Sequence, residues 1–248
     1  MEQQKLIAEL SSLIAGSDNI VFFGGAGVST ESNIPDFRSE QGLYNATSKY
    51  GYAPETMLSH SFFLDHPKEF FEYHLNEMIF EHAKPNDAHI ALARLEQLGK
   101  LKAVITQNID GLHQAAGSKN VLELHGSVLR NYCLNCGARY ALDFMLEHRR
   151  QIPHCPDCGG VVRPDVVLYE EGLDDRVLRA AVKYISEAEL LIVGGTSLVV
   201  YPAAGLIDYF RGRHLVLINK GATSYDGRAG LVIRDSIGKT LAAALKSI

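Results

Sequence analysis

Cys133, Cys136, Cys155 and Cys158 form two Cys-x-x-Cys knuckles separated by 18 residues, within the spacing of four-thiolate zinc sites. Gly137 and Gly159-Gly160 follow the knuckles as tight-turn formers should. Four thiolates saturate a tetrahedral zinc and leave no place for water, so one structural ion is expected. A pair of redox dithiols is the rival reading, which the symmetric spacing disfavours. His154 in the place of Cys155 would spoil the second knuckle.

A second group of candidates lies where apolar runs end. Asn19 to Phe23 reads as a buried parallel strand that empties into Gly24, Gly25 and Gly27, whose missing Cβ atoms let main-chain N–H groups converge on an anion. Thr30 and Glu31 are expected in the first turn of a following helix. Thr30 stands where the third glycine of a dinucleotide fingerprint belongs, so the glycine turn alone is a weak signal. Gln107-Asn108-Ile109-Asp110 follows a run from Leu101 to Thr106, and His125-Gly126-Ser127 follows one from Asn120 to Leu124. In open α/β sheets ligands bind beyond the carboxyl ends of strands, so these clusters should line one crevice. An imidazole there titrates near neutrality, which makes His125 the candidate general base. His113, at an expected helix start, is read as packing or bonding locally.

These positions require an α/β fold, a Rossmann-like doubly wound parallel sheet with a smaller domain. A helix over residues 5–15 precedes the first strand, and another from Asp87 to Leu98 stops at Gly99. Further strands are expected at Val166 to Leu168, Leu190 to Val193, Leu215 to Ile218 and Leu231 to Ile233. The nucleotide domain is assigned to residues 1–38, 86–130 and 166–248. A helical insertion over 39–85 and a zinc module over 131–165 together make the small domain.

The 248 residues are 46% hydrophobic and 21% charged, with a formal charge of −5. That balance argues against gripping nucleic acid through bulk charge. The N-terminus lacks a basic segment followed by a long apolar run and cleavage site, and no apolar stretch approaches the roughly 20 residues that cross a membrane, so a cytoplasmic location is expected; a monomer is the expected state. The glycine turn lacks the G-x-S-x-G of a serine hydrolase. An ordinary dehydrogenase would place an acidic residue at the end of a second strand, where this chain has its insertion.

At this point the residues closely resemble the sirtuins, NAD-dependent protein-lysine deacylases. The matching segments are GAGVSTESNIPDFR at 25–38, TQNIDGLH at 106–113, ELHGS at 123–127, the four cysteines, RPDVVLYEE at 163–171 and GTSLVVYPAAG at 195–205. Asn33 and Glu170 stand where that family usually has glycine.

The resemblance implies that Ala26, Thr30 and Arg38 hold the phosphates and ribose of NAD while Phe37 covers the nicotinamide-side ribose. Gln107 and Asn108 would meet the ribose, Ile109 and Asp110 would form the nicotinamide pocket, and Thr196, Ser197, Asn219 and Ile237 would face the adenosine half. An acetyl-lysine protein or peptide would lie as an added strand between Val166–Tyr169 and Leu198–Tyr201, touching Val167, Leu198, Val199 and Val200, with loose sequence selectivity. The acyl oxygen would attack the ribose C1′ as nicotinamide leaves. His125, with Asn108 beside it, would then assist transfer of the acyl group to ADP-ribose. Zinc on the four cysteines would be structural. An NAD or ADP-ribose sensor without turnover and a protein ADP-ribosyltransferase are the alternatives. Succinyl-preferring sirtuins carry a Tyr-x-x-Arg pair in the insertion, where this chain has Tyr73-His74-Leu75-Asn76, so neutral acyl groups are expected, with Phe70, Phe71 and Leu75 as candidate lining.

Overall fold

The computed structural model of the protein describes residues 2–36 and 47–247. Phe37 and Arg38 lie outside that range. The described residues form a six-stranded parallel sheet of β1 (Ile20–Gly24), β2 (Leu101–Thr106), β3 (Val121–Glu123), β7 (Leu190–Gly194), β8 (His214–Ile218) and β9 (Leu231–Ile233). A three-stranded sheet holds β4 (Gly126–Cys133), β5 (Arg139–Ala141) and β6 (Val162–Val166).

The large sheet runs in the order β3-β2-β1-β7-β8-β9. Its central strands are apolar throughout because both faces are covered. Ile20 and Phe22 pack with Leu10, Ile14, Leu92 and Leu241 from the helices Glu2–Ala15, Asp87–Gln97 and Ile237–Ala244. Val21 and Phe23 point the other way, against Ala181 and Ile185 of the helix Asp175–Glu187 and Ala203 of the turn Ala203–Tyr209. Alternate side chains of one strand thus serve two cores, which defines a doubly wound sheet.

Connections leave β1 toward β2 and β3 on one side, and β7 leads to β8 and β9 on the other. The switch between β1 and β7 opens the crevice in which such sheets bind ligands.

A third core joins the insertion to the cysteine segment. Helices Pro54–Met57, His60–Asp65 and Pro67–Glu77 contribute Met57, Phe62, Phe63, Phe70, Phe71, Tyr73 and Leu75. These pack with Val128, Cys133, Met145, Cys155, Val162 and Val166. Pro54 and Pro67 each open a helix, where the missing N–H costs no bond.

Two local expectations are corrected. The apolar residues at 166–168 do not form a strand of the parallel sheet; β6 ends at Val166 and pairs antiparallel with β4. Pro164 sits within β6, which is an edge strand with a register shift opposite it, the setting in which a strand tolerates proline. The glycine turn leads not into an α-helix but into two 3₁₀ turns, Ala26–Val28 and Thr30–Ser32, ending at Asn33 with φ 61°. Asparagine is among the few non-glycine residues that enter this left-handed region readily.

Candidate active site

The β1 and β7 exits pack backbone to backbone. Gly27 N donates to Gly195 O at 2.8 Å, and Gly195 N donates to Ile218 O at 3.1 Å. A Cβ on Gly27 would stand 2.7 Å from the Gly195 Cα, so any other residue would drive the two loops apart. The glycines are therefore spent on joining two strand exits, and Thr30 needs no glycine because its hydroxyl caps the turn through Gly27 O at 3.0 Å.

Above this junction lies a cleft of about 570 Å³, the size of a small-molecule site. Ala26, Thr30, Gln107, Asn108, Ile109, Asp110, His125, Thr196, Ser197, Asn219 and Ile237 all line it, as do Val167 and Val200. Leu198 does not: it is 2% exposed in the core, with φ 56°. Val199 is 54% exposed, outside the cleft lining.

His125 stands where the two sheets meet. Gly126 (φ 77°) opens β4, and a Cβ there would overlap the Asp165 carbonyl. His125 O accepts from Val167 N at 3.0 Å. Its ring Nδ1 lies 2.9 Å from the Gln107 carbonyl oxygen. A carbonyl can only accept, so Nδ1 carries the proton and Nε2 holds a lone pair. Burial pushes the imidazole below the ordinary histidine range, against a smaller opposing effect of the Gln107 carbonyl.

Ser29 ties the neighbouring polar groups together, a role its place inside the glycine turn does not advertise. Its hydroxyl donates to Asp110 Oδ2 at 2.6 Å and accepts from Asn108 Nδ2 at 3.0 Å. Leu112 N holds the other Asp110 oxygen at 2.9 Å. Gln107 Nε2 reaches Thr196 Oγ1 at 3.1 Å, bridging the β2 and β7 exits.

The far wall is the extended segment 167–169. Tyr169 N donates to Leu58 O, and His60 N donates to Tyr169 O. Glu171 anchors the segment from below: its carboxylate accepts from Leu168 N, from both terminal nitrogens of the buried Arg163, and from His60 Nδ1. From the insertion the cleft receives Leu58, His74, Met78 and Phe80. Tyr73 is fully buried, and Asn76 is exposed with Nδ2 on Glu72 O. The helix thus turns His74 and Met78, one turn apart, toward the cleft. The pair Tyr73 and Asn76 is not on it, nor are Phe70, Phe71 and Leu75.

The four cysteine Sγ atoms lie within 4.8 Å of one another, with Cys133–Cys158 at 3.5 Å and Cys136–Cys155 at 3.7 Å. A zinc with Zn–S bonds of about 2.3 Å needs S–S edges of about 3.8 Å, so the donor set fits. Gly160 completes the cradle, since a Cβ there would press on Asn135 and on the Cys133 Sγ. All four are free cysteines.

Residues 25–202 match the Sir2 family. That is well over half of the chain, and the chain belongs to this family. An NAD-dependent protein deacetylase of Clostridium acetobutylicum is 64% identical over 95% of this chain and 96% of its own length. One from Fusobacterium nucleatum is 47% identical over 100% and 94%. A Sir2 structure with a p53 peptide and NAD+ superposes with a TM-score of 0.84 at 39% identity, covering 97% of this chain and 98% of its own. A Sir2 variant with a deacetylated p53 peptide and 3′-O-acetyl ADP-ribose gives 0.88 at 40% identity, covering 96% and 97%.

Proposed function

We infer that this chain is an NAD-dependent protein-lysine deacetylase, which moves the acetyl group of acetyl-lysine to ADP-ribose and releases nicotinamide and O-acetyl-ADP-ribose. The observation that carries this reading is His125, a half-buried imidazole of the cleft lining whose Nδ1 is fixed by the Gln107 carbonyl, which leaves Nε2 unprotonated.

NAD, when bound, supplies an anomeric carbon with nicotinamide as its leaving group. The chain's own residues divide the remaining work. The N–H groups around Ala26 and Thr30 receive the phosphates. Thr196, Ser197, Asn219 and Ile237, at the exits of β7 and β8 and the start of the last helix, hold the adenosine half. Asp110 and Ile109 receive the nicotinamide carboxamide. Asn108, its amide committed to Ser29, presents its carboxamide oxygen to the ribose. His125 accepts a ribose hydroxyl proton at Nε2 as general base. The peptide adds as a strand beside Val167, and Val200 lies opposite. Four thiolates close the zinc shell, so that ion supports the small domain and has no position for substrate.

Among the described cleft residues the insertion contributes no lysine or arginine, which supports acetyl and other neutral acyl groups. No helix of the described residues is long and apolar enough to cross a membrane. Mass spectrometry of a reaction containing NAD and an acetyl-lysine peptide tests the function. Nicotinamide and acetyl-ADP-ribose should appear together. ADP-ribosylated peptide without acetyl-ADP-ribose would transfer the reading to ADP-ribosyltransferase, and unchanged NAD would reduce the protein to a binder.

A further inference from the structure

Glu170 is set apart from the other carboxylates of its stretch of chain. Between residues 163 and 176, Asp165 pairs with Arg130, Glu171 with Arg163, Asp174 with Arg176 and Asp175 with Arg179. Glu170 pairs with no cation among the described residues. Its carboxylate oxygens accept from Ser61 N at 2.8 Å and Ser61 Oγ at 2.9 Å. Both donors are neutral, so the charge is oriented but not cancelled. The residue is exposed, yet it lines the cleft directly after the segment 167–169.

Its backbone is also unusual. Glu170 has φ 77°, a left-handed conformation that costs a residue with a Cβ and would cost glycine nothing. A non-glycine residue held in such a conformation beside a ligand groove directs attention to its side chain. Here that side chain is a fixed, unpaired negative charge at the edge along which a peptide would add.

We propose that Glu170 is a specificity-determining residue that receives a lysine or arginine of the substrate flanking the acyl-lysine. The inference rests on the deacetylase reading and adds the substrate class: basic segments around the modified lysine. A peptide added as a strand carries its neighbours at about 3.3 Å per residue, so a basic side chain within two positions of the acyl-lysine reaches the carboxylate. Such a pair contributes mainly to encounter and register, and salt screens it.

The test compares acetyl-lysine peptides that differ only in lysine against norleucine at each of the four flanking positions. In the wild-type protein at least one position should favour lysine by about two- to fivefold in kcat/KM, as a partly exposed ion pair gives, with the difference in KM and diminished at high salt. Glu170→Gln keeps the shape and an oxygen to accept from Ser61 N, with its amide NH2 donating to Ser61 Oγ where the carboxylate accepted, and Glu170→Gly suits the backbone. In both, the lysine-to-norleucine ratio should fall to about one, and because each ratio is internal to one protein, a general loss of activity does not disturb it. A lysine preference that persists undiminished in both variants, or none in the wild type, overturns the assignment to Glu170. Turnover of no peptide by the wild type overturns the deacetylase reading itself, and this inference with it.

Discussion

His125 Nδ1 and the Gln107 carbonyl oxygen stand 2.9 Å apart, and that contact decides which face of the imidazole can do chemistry. With the proton held on Nδ1, Nε2 is a base at neutral pH. His125→Ala should lower kcat by about 10²- to 10⁴-fold, the usual contribution of a positioned base, while NAD binding followed by calorimetry persists. Because burial lowers the pKa of His125, the base stays unprotonated below the ordinary histidine range. The acid limb of kcat/KM should therefore fall below about pH 6.5. A limb centred above that value, or near-normal turnover of the alanine variant, would remove His125 from the role.

Ser29→Ala would cut the link between Asn108 and Asp110. Ser29 is 1% exposed, and its loss leaves Asp110 Oδ2 and Asn108 Nδ2 without their partner. Leaving fully buried polar groups unpaired costs about 1–3 kcal/mol, and for the part-buried Asn108 and Asp110 the lower half of that range predicts roughly 5- to 30-fold in kcat/KM if the cost falls on the site. Thermal unfolding separates the two effects: a melting temperature near wild type with reduced kcat/KM assigns the cost to catalysis. An unimpaired kcat/KM would show that Asn108 and Asp110 hold their places without Ser29.

Much of this site is legible in the chain because its parts sit at the ends of apolar runs. Ile20 to Phe23 and Leu190 to Val193 read as buried strands since both faces of the sheet are covered, and the polar residues after them then fall into one crevice. Ser29 is not legible, because a serine inside a glycine turn reads as a turn former until Asp110 is folded over it. Arg163 and Pro164 conceal β6: a charge and a proline do not look like a strand, and only the Glu171 carboxylate and the edge position make them one. The helix Pro67–Glu77 shows a different limit. Its apolar residues cover more than one face, so spacing alone does not say that His74 and Met78 look into the cleft while Asn76 looks away.

The zinc site is predicted to carry the small domain. Cys133 and Cys155 belong to the same core as Phe62, Phe70 and Val162, so loosening the thiolates loosens the insertion that walls the cleft. Chelation or Cys136→Ser should melt this region and abolish activity, because metal binding in such modules is folding free energy. Limited proteolysis should open the cysteine segment and the insertion before the parallel sheet. Metal-free protein with full activity and unaltered proteolysis would show that the thiolates hold nothing together.

Acid should destabilise the fold through histidines buried in their neutral form. Burial pushes His74 and His89 down to about 4 and His113 to about 3. In the unfolded chain each returns to about 6.5. Between those values the unfolded state binds more protons, so stability is full above about pH 6.5 and falls with acidification, by at most about 1.4 kcal/mol per pH unit for each histidine. Chemical denaturation at pH 7 and pH 5 should show the loss, and His113→Phe should shrink it. Equal stability at the two pH values in the wild type would contradict the burial of neutral imidazoles.

Acyl selectivity follows from the same buried histidine. The insertion presents Leu58, His74, Met78 and Phe80 to the cleft, and His74, neutral because of its burial, offers no positive charge to an acyl carboxylate at pH 7. Arg163 lies close enough to lower the His74 pKa, yet its guanidinium is already committed to Glu171 and to the Val166 and Pro164 carbonyls. A succinyl carboxylate drawn into this wall would be desolvated without a partner, at a cost of at least several kcal/mol. For one peptide carrying acetyl- or succinyl-lysine, kcat/KM should therefore favour acetyl by more than about a hundredfold. His74→Arg would place a guanidinium on the cleft wall and should raise the succinyl-to-acetyl ratio, since a charge-assisted bond then replaces the unpaired charge. A wild-type preference for succinyl-lysine would mean that a cation reaches the acyl group from elsewhere in the chain.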